Sequence, residues 1–238
     1  MPRELMKSYI AGFDEKLGGG IPEGSVVLIV GEPGTMKSSL AFNVLFHNAV
    51  KEGVPGVYIS LEQSRESLMD HMSNLEMDIS VCEDLVSILD LGLIRKNLTM
   101  LADQSWMHVF KMYVEQLQKT HDFRLMVLDS LPVLELLAEF KSPRADLFHF
   151  FEWLRDQDIT TFLISEMSQD SNAYAKYDED FLADGIFHVK MEKVDDINIQ
   201  RRLRCVKLRS ANHSMNFFTL LFHDGVFEVT KVIGDTKE

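Results

Sequence analysis

The chain has 238 residues, 46% of them hydrophobic and 26% charged, with a formal net charge of −13. Such a balance supports one large soluble domain with a sizeable core, and its acidity disfavours a dominant electrostatic grip on nucleic acid, which needs clustered Lys and Arg. Cys82 and Cys205 lack a metal-ligand spacing, Met1–Glu15 lacks the apolar run of a signal peptide, and no stretch is long enough to span a membrane, so reduced thiols and a cytoplasmic location are expected.

The predicted elements alternate along the chain. Val26–Val30 is a continuous β-branched run and predicts a buried parallel strand, and Ser38–Lys51 follows with helical spacing of its apolar residues. Val57–Leu61 predicts a second strand, and Ser64–Leu75 a helix with Ser64 as its N-cap. Leu85–Leu89 is a further strand, Ser105–Lys119 a helix, and Leu125–Leu128 a strand ending in Asp129. Arg144–Asp156 predicts a helix and Thr161–Ser165 another strand. The alternation implies an α/β fold, a mainly parallel central sheet flanked by helices. Ser168 to Asp184 is polar and is read as a mobile loop. From Phe187 on, only strands remain: Phe187–Glu192, Arg202–Lys207, Phe217–Phe222 and, after the Asp224-Gly225 turn, Val226–Val229. These are expected to form a C-terminal antiparallel extension of the same sheet. No repeat or linker divides the chain, so residues 1–238 are read as a single domain.

The first strand runs directly into Gly31-Glu32-Pro33-Gly34-Thr35-Met36-Lys37-Ser38-Ser39, where a helix begins. Strand, glycine-bearing loop and helix N-terminus in this order form a phosphate cradle, with backbone N–H groups and the helix dipole facing the anion. Lys37 would reach the β- and γ-phosphates of ATP, and the Ser38 hydroxyl would ligate magnesium. The pattern G-x-x-x-x-G-K-[ST] is missed at one position, where Met36 replaces the second glycine. If the backbone there needs a positive φ, the side chain costs about 1–2 kcal/mol; if φ is negative, Met is cheap. Nucleotide binding should tolerate the exchange better than fast turnover does.

Asp129, ending an apolar strand, is a candidate for holding magnesium through a water. Glu62, at the end of Tyr58-Ile-Ser-Leu-Glu62, is a candidate to orient and deprotonate an attacking water. Ser165 and Glu166 are placed at the same sheet edge, as γ-phosphate sensors or as simple strand-end polarity.

These residues resemble a known family. Tyr9-Ile-Ala-Gly-Phe-Asp14, Leu17-Gly-Gly-Gly-Ile-Pro-Glu-Gly24, the phosphate loop, Pro55-Gly-Val-Tyr-Ile-Ser-Leu-Glu62, the Asp129 strand and Val206-Lys207-Leu208-Arg209-Ser-Ala-Asn-His213 are similar to KaiC-type domains of the RecA superfamily. The similarity covers nearly the whole chain and is weakest over about Glu76–Phe123 and Ser168–Ala183. It implies a RecA-like P-loop fold and a magnesium-dependent ATPase that assembles as a ring, often a hexamer, with ATP between subunits. Lys207 and Arg209 match the family's K-x-R pair, which reaches the neighbouring subunit's phosphates, and His213 matches the histidine shortly after it. An exposed basic strand is the alternative for that pair. The chain departs from the family pattern in Gln63, where a second glutamate is common, and in Asp178–Gly185, which has no hydroxyl where the clock protein's second domain carries an autophosphorylated pair. A slow, regulatory or signalling ATPase with a protein partner is the leading expectation. A DNA-acting recombinase paralogue, supported only by the basic run Arg201–Arg209, and a nucleotide switch without useful hydrolysis are the others.

Overall fold

The computed structural model describes residues 3–91, 105–167 and 173–232. Most of the expected strands and helices form within a residue or two of the boundaries read from the pattern. Strands β1 (Leu5–Met6) and β2 (Ile21–Pro22) pair as a small antiparallel ribbon. They are followed by β3 (Val26–Gly31), α1 (Lys37–Glu52), β4 (Gly56–Ser60), α2 (Arg65–Ser73) and β5 (Val86–Asp90). After α3 (Trp106–His121) come β6 (Leu125–Asp129), α4 (Leu131–Ala138), α5 (Pro143–Asp156) and β7 (Thr160–Glu166). The short α6 (Glu179–Leu182) precedes β8 (Gly185–Lys193), β9 (Ile199–Leu208), β10 (Phe218–His223) and β11 (Val226–Lys231).

Local chemistry sets the boundaries. Ser64 and Ser105 each accept the backbone N–H three residues on, capping α2 and α3, and Gly53 ends α1 in the left-handed conformation. The β10–β11 hairpin turns on Asp224 and Gly225, both at positive φ, as a two-residue turn that follows the strand twist requires. Helix α4 has no amphipathic signal, because Leu-Pro-Val-Leu-Glu-Leu-Leu-Ala is apolar almost all round; Pro132 sits in its first turn. The sequence reading leaves it out. The expected mobile loop contains α6 among its described residues, and positions 168–172 lie outside them.

Nine strands form the main sheet in the order β11-β10-β9-β8-β3-β7-β6-β4-β5. Strands β8 through β5 in that order are parallel, and β9, β10 and β11 pair antiparallel. One expectation needs correcting here. Strand β8 belongs to the parallel part, paired with β3 from Val27↔Gly185 to Gly31↔Val189, so the antiparallel extension begins only at β9. The connection from β7 is long enough to carry the chain back across the sheet, which is what a parallel return demands.

Both faces of the parallel sheet are covered, which explains the continuous apolar runs. Val27, Ile29, Tyr58 and Val127 pack under α1 and α2, and Val26, Leu28, Val30 and Ile59 pack under α3, α4 and α5.

Candidate functional site

Strands β3, β7, β6 and β4 deliver their C-terminal ends to one edge, and α1 starts there. The loop between β3 and α1 is tightly specified. A Cβ on Gly31 would lie 2.1 Å from the Val189 carbonyl oxygen, so β8 leaves room only for glycine. Gly34 has φ +80°, and the Thr35 hydroxyl donates to the Glu32 carbonyl at 2.8 Å. Met36 has φ +69° and ψ 32°: it keeps a glycine-like backbone despite its side chain, which lies half-buried against the core. Its carbonyl accepts the first α1 hydrogen bond, from Leu40 N–H at 2.9 Å.

Lys37 is buried at the first position of α1, and its Nζ donates to the Gly31 and Glu32 carbonyls at 3.0 Å each. Burial pulls its pKa below the ordinary lysine value, against the opposing charges of Glu166, Asp129, Glu62 and Glu32. The charges of all four carboxylates act on Lys37. Ser38 follows, beside the Asp129 carboxylate and the Tyr58 phenol. Ser39 is buried.

The strand that ends in Asp129 is not adjacent to β3: β7 intervenes, with Ser165 and Glu166 level with Val30 and Gly31. The carboxylate nevertheless reaches the site because α1 lies over this part of the sheet. Asp129 is buried, and its Oδ2 accepts from Tyr58 Oη at 2.6 Å. Burial raises its pKa, partly countered by the Tyr58 hydrogen bond and the neighbouring Ser38 hydroxyl. Burial and the Asp129 charge push the Tyr58 phenol well above its ordinary value, so it remains a donor.

Glu62 lies two residues beyond the end of β4 and is exposed; Ser130 Oγ donates to its Oε1. The turn that carries it is held by Ser60, whose Oγ donates to the Gln63 carbonyl at 2.7 Å and accepts the Gln63 N–H at 3.0 Å. Beside the loop a cleft of about 670 Å³ is lined by Pro33, Ser165, Glu166, Glu135 and Glu179. Within it the Glu135 carboxyl is pushed up to about 8 by burial and by its hydrogen bond and repulsion with Glu179.

Ser38 and Asp129 are hard oxygen donors, the type magnesium prefers, with phosphate and water completing the shell. Among the described residues no group of three or more His, Cys, Asp or Glu forms a metal cage. The donor set fits an ion held mainly through a bound nucleotide.

Lys207, Arg209 and His213 lie elsewhere. Lys207 is level with Ile186, whereas Gly31 is level with Val189, three residues or ~10 Å further along β8 toward the phosphate loop. Lys207 Nζ donates to the Asp180 and Phe181 carbonyls at 3.0 and 3.2 Å, and Arg209 to the Phe181 carbonyl at 3.1 Å and to Asp184 Oδ1 at 2.9 Å. Asp184 also accepts the Val26 N–H and pairs with Arg155; burial opposes its ionisation, but these partners outweigh it and hold its pKa below the usual value. His213 is half-buried, its Nδ1 3.3 Å from the Ser214 carbonyl oxygen. These three residues are remote from the phosphate loop of their own chain.

The basic run is largely consumed internally. Arg202 is buried on the Thr219 hydroxyl, and Arg204 contacts the Tyr174 hydroxyl and lies 4.5 Å over the Phe217 ring. Sequence reasoning missed Tyr58, Ser130 and Asp184. Tyr58 was legible in part, since it shares the α1 face with Ser60; the partners of Asp184, Val26, Arg155 and Arg209, come from three distant segments and left no local signal.

Among the described residues no helix is long and apolar enough to cross a membrane. Comparison with known proteins gives a consistent picture. The family model described as "ATPase: KaiC" matches residues 6–232. The circadian clock protein KaiC2 of Synechocystis is 26% identical over 226 residues, covering 94% of this chain and 39% of that protein. A UPF0273 protein of Pyrobaculum aerophilum is 27% identical over 232 residues, covering 94% and 82%. A KaiC-like protein of Pyrococcus horikoshii superposes with a TM-score of 0.81 at 27% identity, covering 96% of this chain and all of that one. The chain therefore spans well under half of the cyanobacterial relative and most of the archaeal ones. With the RecA-like sheet, the Lys37 loop and a family match across nearly its whole length, the chain belongs to the KaiC family of ATPases.

Proposed function

We propose that the protein is a slow, magnesium-dependent ATPase that forms a ring, hexameric by family resemblance, with ATP bound between subunits and a regulatory or signalling role played through a protein partner. The observation that carries this reading is the convergence on Lys37 of carboxylates from three strand ends, at the N-terminus of α1. In this reading Lys37 and the backbone N–H groups of the loop, Pro33 having none, hold the phosphates. Ser38 and Asp129 hold magnesium, which would neutralise charge on the phosphates. Glu62, steadied by Ser130, takes the proton of the attacking water. Ser165 and Glu166 flank the γ-phosphate position. Slow turnover is expected chiefly from Gln63 beside the base, with a modest share from Met36 in the phosphate loop.

Lys207, Arg209 and His213 act in trans on the neighbour's nucleotide, since their distance from their own loop leaves them no role there. Residence of Lys207 and Arg209 on the α6 carbonyls and Asp184 is then the state before assembly. The internal use of Arg202 and Arg204 weighs against the DNA-acting reading. Light scattering with and without ATP and magnesium, coupled to phosphate release on the same sample, tests assembly and catalysis together. A chain that stays monomeric with ATP, or releases no phosphate, refutes the ring or the ATPase respectively.

A further inference from the structure

The magnesium site proposed above draws one ligand from a helix and the other from a strand, so something must set their separation. Tyr58 lies between them. Its ring is fully buried under α1, tilted against Phe42 with 5.6 Å between centroids. Phe42 stands one helical turn after Ser38, so the ring that packs on Phe42 has its hydroxyl on the side of Ser38. That hydroxyl donates to Asp129 Oδ2 at 2.6 Å. A single phenol thus bonds one oxygen donor and lies beside the other, with its body locked by the core of the α1 face.

We infer that Tyr58 is a positioning residue for the metal. By occupying Oδ2 of Asp129 it fixes the carboxylate's rotation beside Ser38, so that Oδ1 would be the oxygen offered to a bound metal or its water. Outer-shell partners of this kind orient ligands that would otherwise rotate, and losing one typically costs about 10–100-fold in metal affinity. The inference rests on the nucleotide reading above.

The test is calorimetry of a non-hydrolysable ATP analogue with magnesium and with a chelator. The parent should bind more tightly with magnesium. In Tyr58→Phe, which keeps the ring and loses the hydroxyl, that magnesium-dependent gain should fall about 10–100-fold, while affinity in chelator stays within about twofold. Asp129→Asn should lose the gain as well, and adding Tyr58→Phe to it should change nothing more, because the phenol acts through that carboxylate. Phe42→Leu loosens the same packing but keeps the hydroxyl, and should retain the gain.

Three outcomes overturn the inference: Tyr58→Phe with the parental magnesium gain, Tyr58→Phe weakened equally with and without magnesium, or Phe42→Leu losing as much as Tyr58→Phe. A parent that binds no analogue at all overturns the nucleotide reading itself, and the role of Tyr58 with it.

Discussion

Replacing Met36 by glycine isolates the one residue that departs from the phosphate-loop pattern. At φ +69° the Met36 side chain strains the loop by about 1–2 kcal/mol, which glycine would relieve. Two effects oppose the gain. A fully buried Met is worth about 1.5–3 kcal/mol, and Met36 is half-buried, so removing it costs about 1 kcal/mol. Glycine also gives the unfolded chain more freedom, a further loss of roughly 0.5–1 kcal/mol. The terms nearly cancel, so Met36→Gly should shift Tm by no more than about 4 °C in a chain of this size. Met36→Ile is the informative contrast: it keeps apolar surface but forces a β-branched residue into the left-handed region, and should melt below both. Because the backbone already has the glycine conformation, ATP affinity should be preserved in Met36→Gly and turnover changed only modestly. Differential scanning fluorimetry and ATP calorimetry on the three proteins decide the matter. A Tm fall of more than about 8 °C in Met36→Gly, or a parent that binds nucleotide only once Met36 is removed, would refute the reasoning.

Lys37→Ala should abolish measurable ATP affinity while circular dichroism shows an intact fold; unchanged affinity in calorimetry would remove Lys37 from the site. Glu62→Gln should bind ATP normally yet hydrolyse it about 10²–10⁴-fold more slowly, and parental phosphate release would assign the base elsewhere. Arg209→Ala should bind ATP and turn over poorly, and mixing it with Glu62→Gln should restore part of the activity, because mixed interfaces combine an intact Glu62 with an intact Arg209. If native mass spectrometry shows subunit exchange without such recovery, the trans arrangement is wrong. Stability should fall as pH drops from about 6.5 toward about 4. Burial, with Lys51 beside His47 and with Arg204 and Lys190 beside His188, holds both histidines near 4, so they stay neutral in the fold while the unfolded chain takes up protons. Thermal melts across that range check it: in His188→Asn the decline should be shallower, and an unchanged slope would clear His188 of the effect.

What the sequence determined by itself is what contiguous residues encode. The run Val26–Val30, the loop through Lys37-Ser38 and the helix after it are adjacent in the chain, so strand, cradle and helix dipole come in register whatever the rest of the fold does. Leu125–Asp129 likewise declared a buried strand ending in a carboxylate, and Asp224-Gly225 declared its turn. Only the tertiary structure decided matters that depend on distant segments. Whether β8 runs parallel to β3, and that β7 stands between β3 and β6, are questions of strand order, to which hydrophobic periodicity is blind. The φ of Met36 depends on how β3 and α1 are held apart by the whole sheet. The partners of Lys207 and Arg209 lie about 25 residues earlier, in and just after the short α6, a stretch too brief to show periodicity. Tyr58 read as one more apolar residue of a strand. Its second identity, as the hydroxyl that holds Asp129 beneath the start of α1, exists only because β4 and β6 lie side by side under that helix, 71 residues apart at that hydrogen bond.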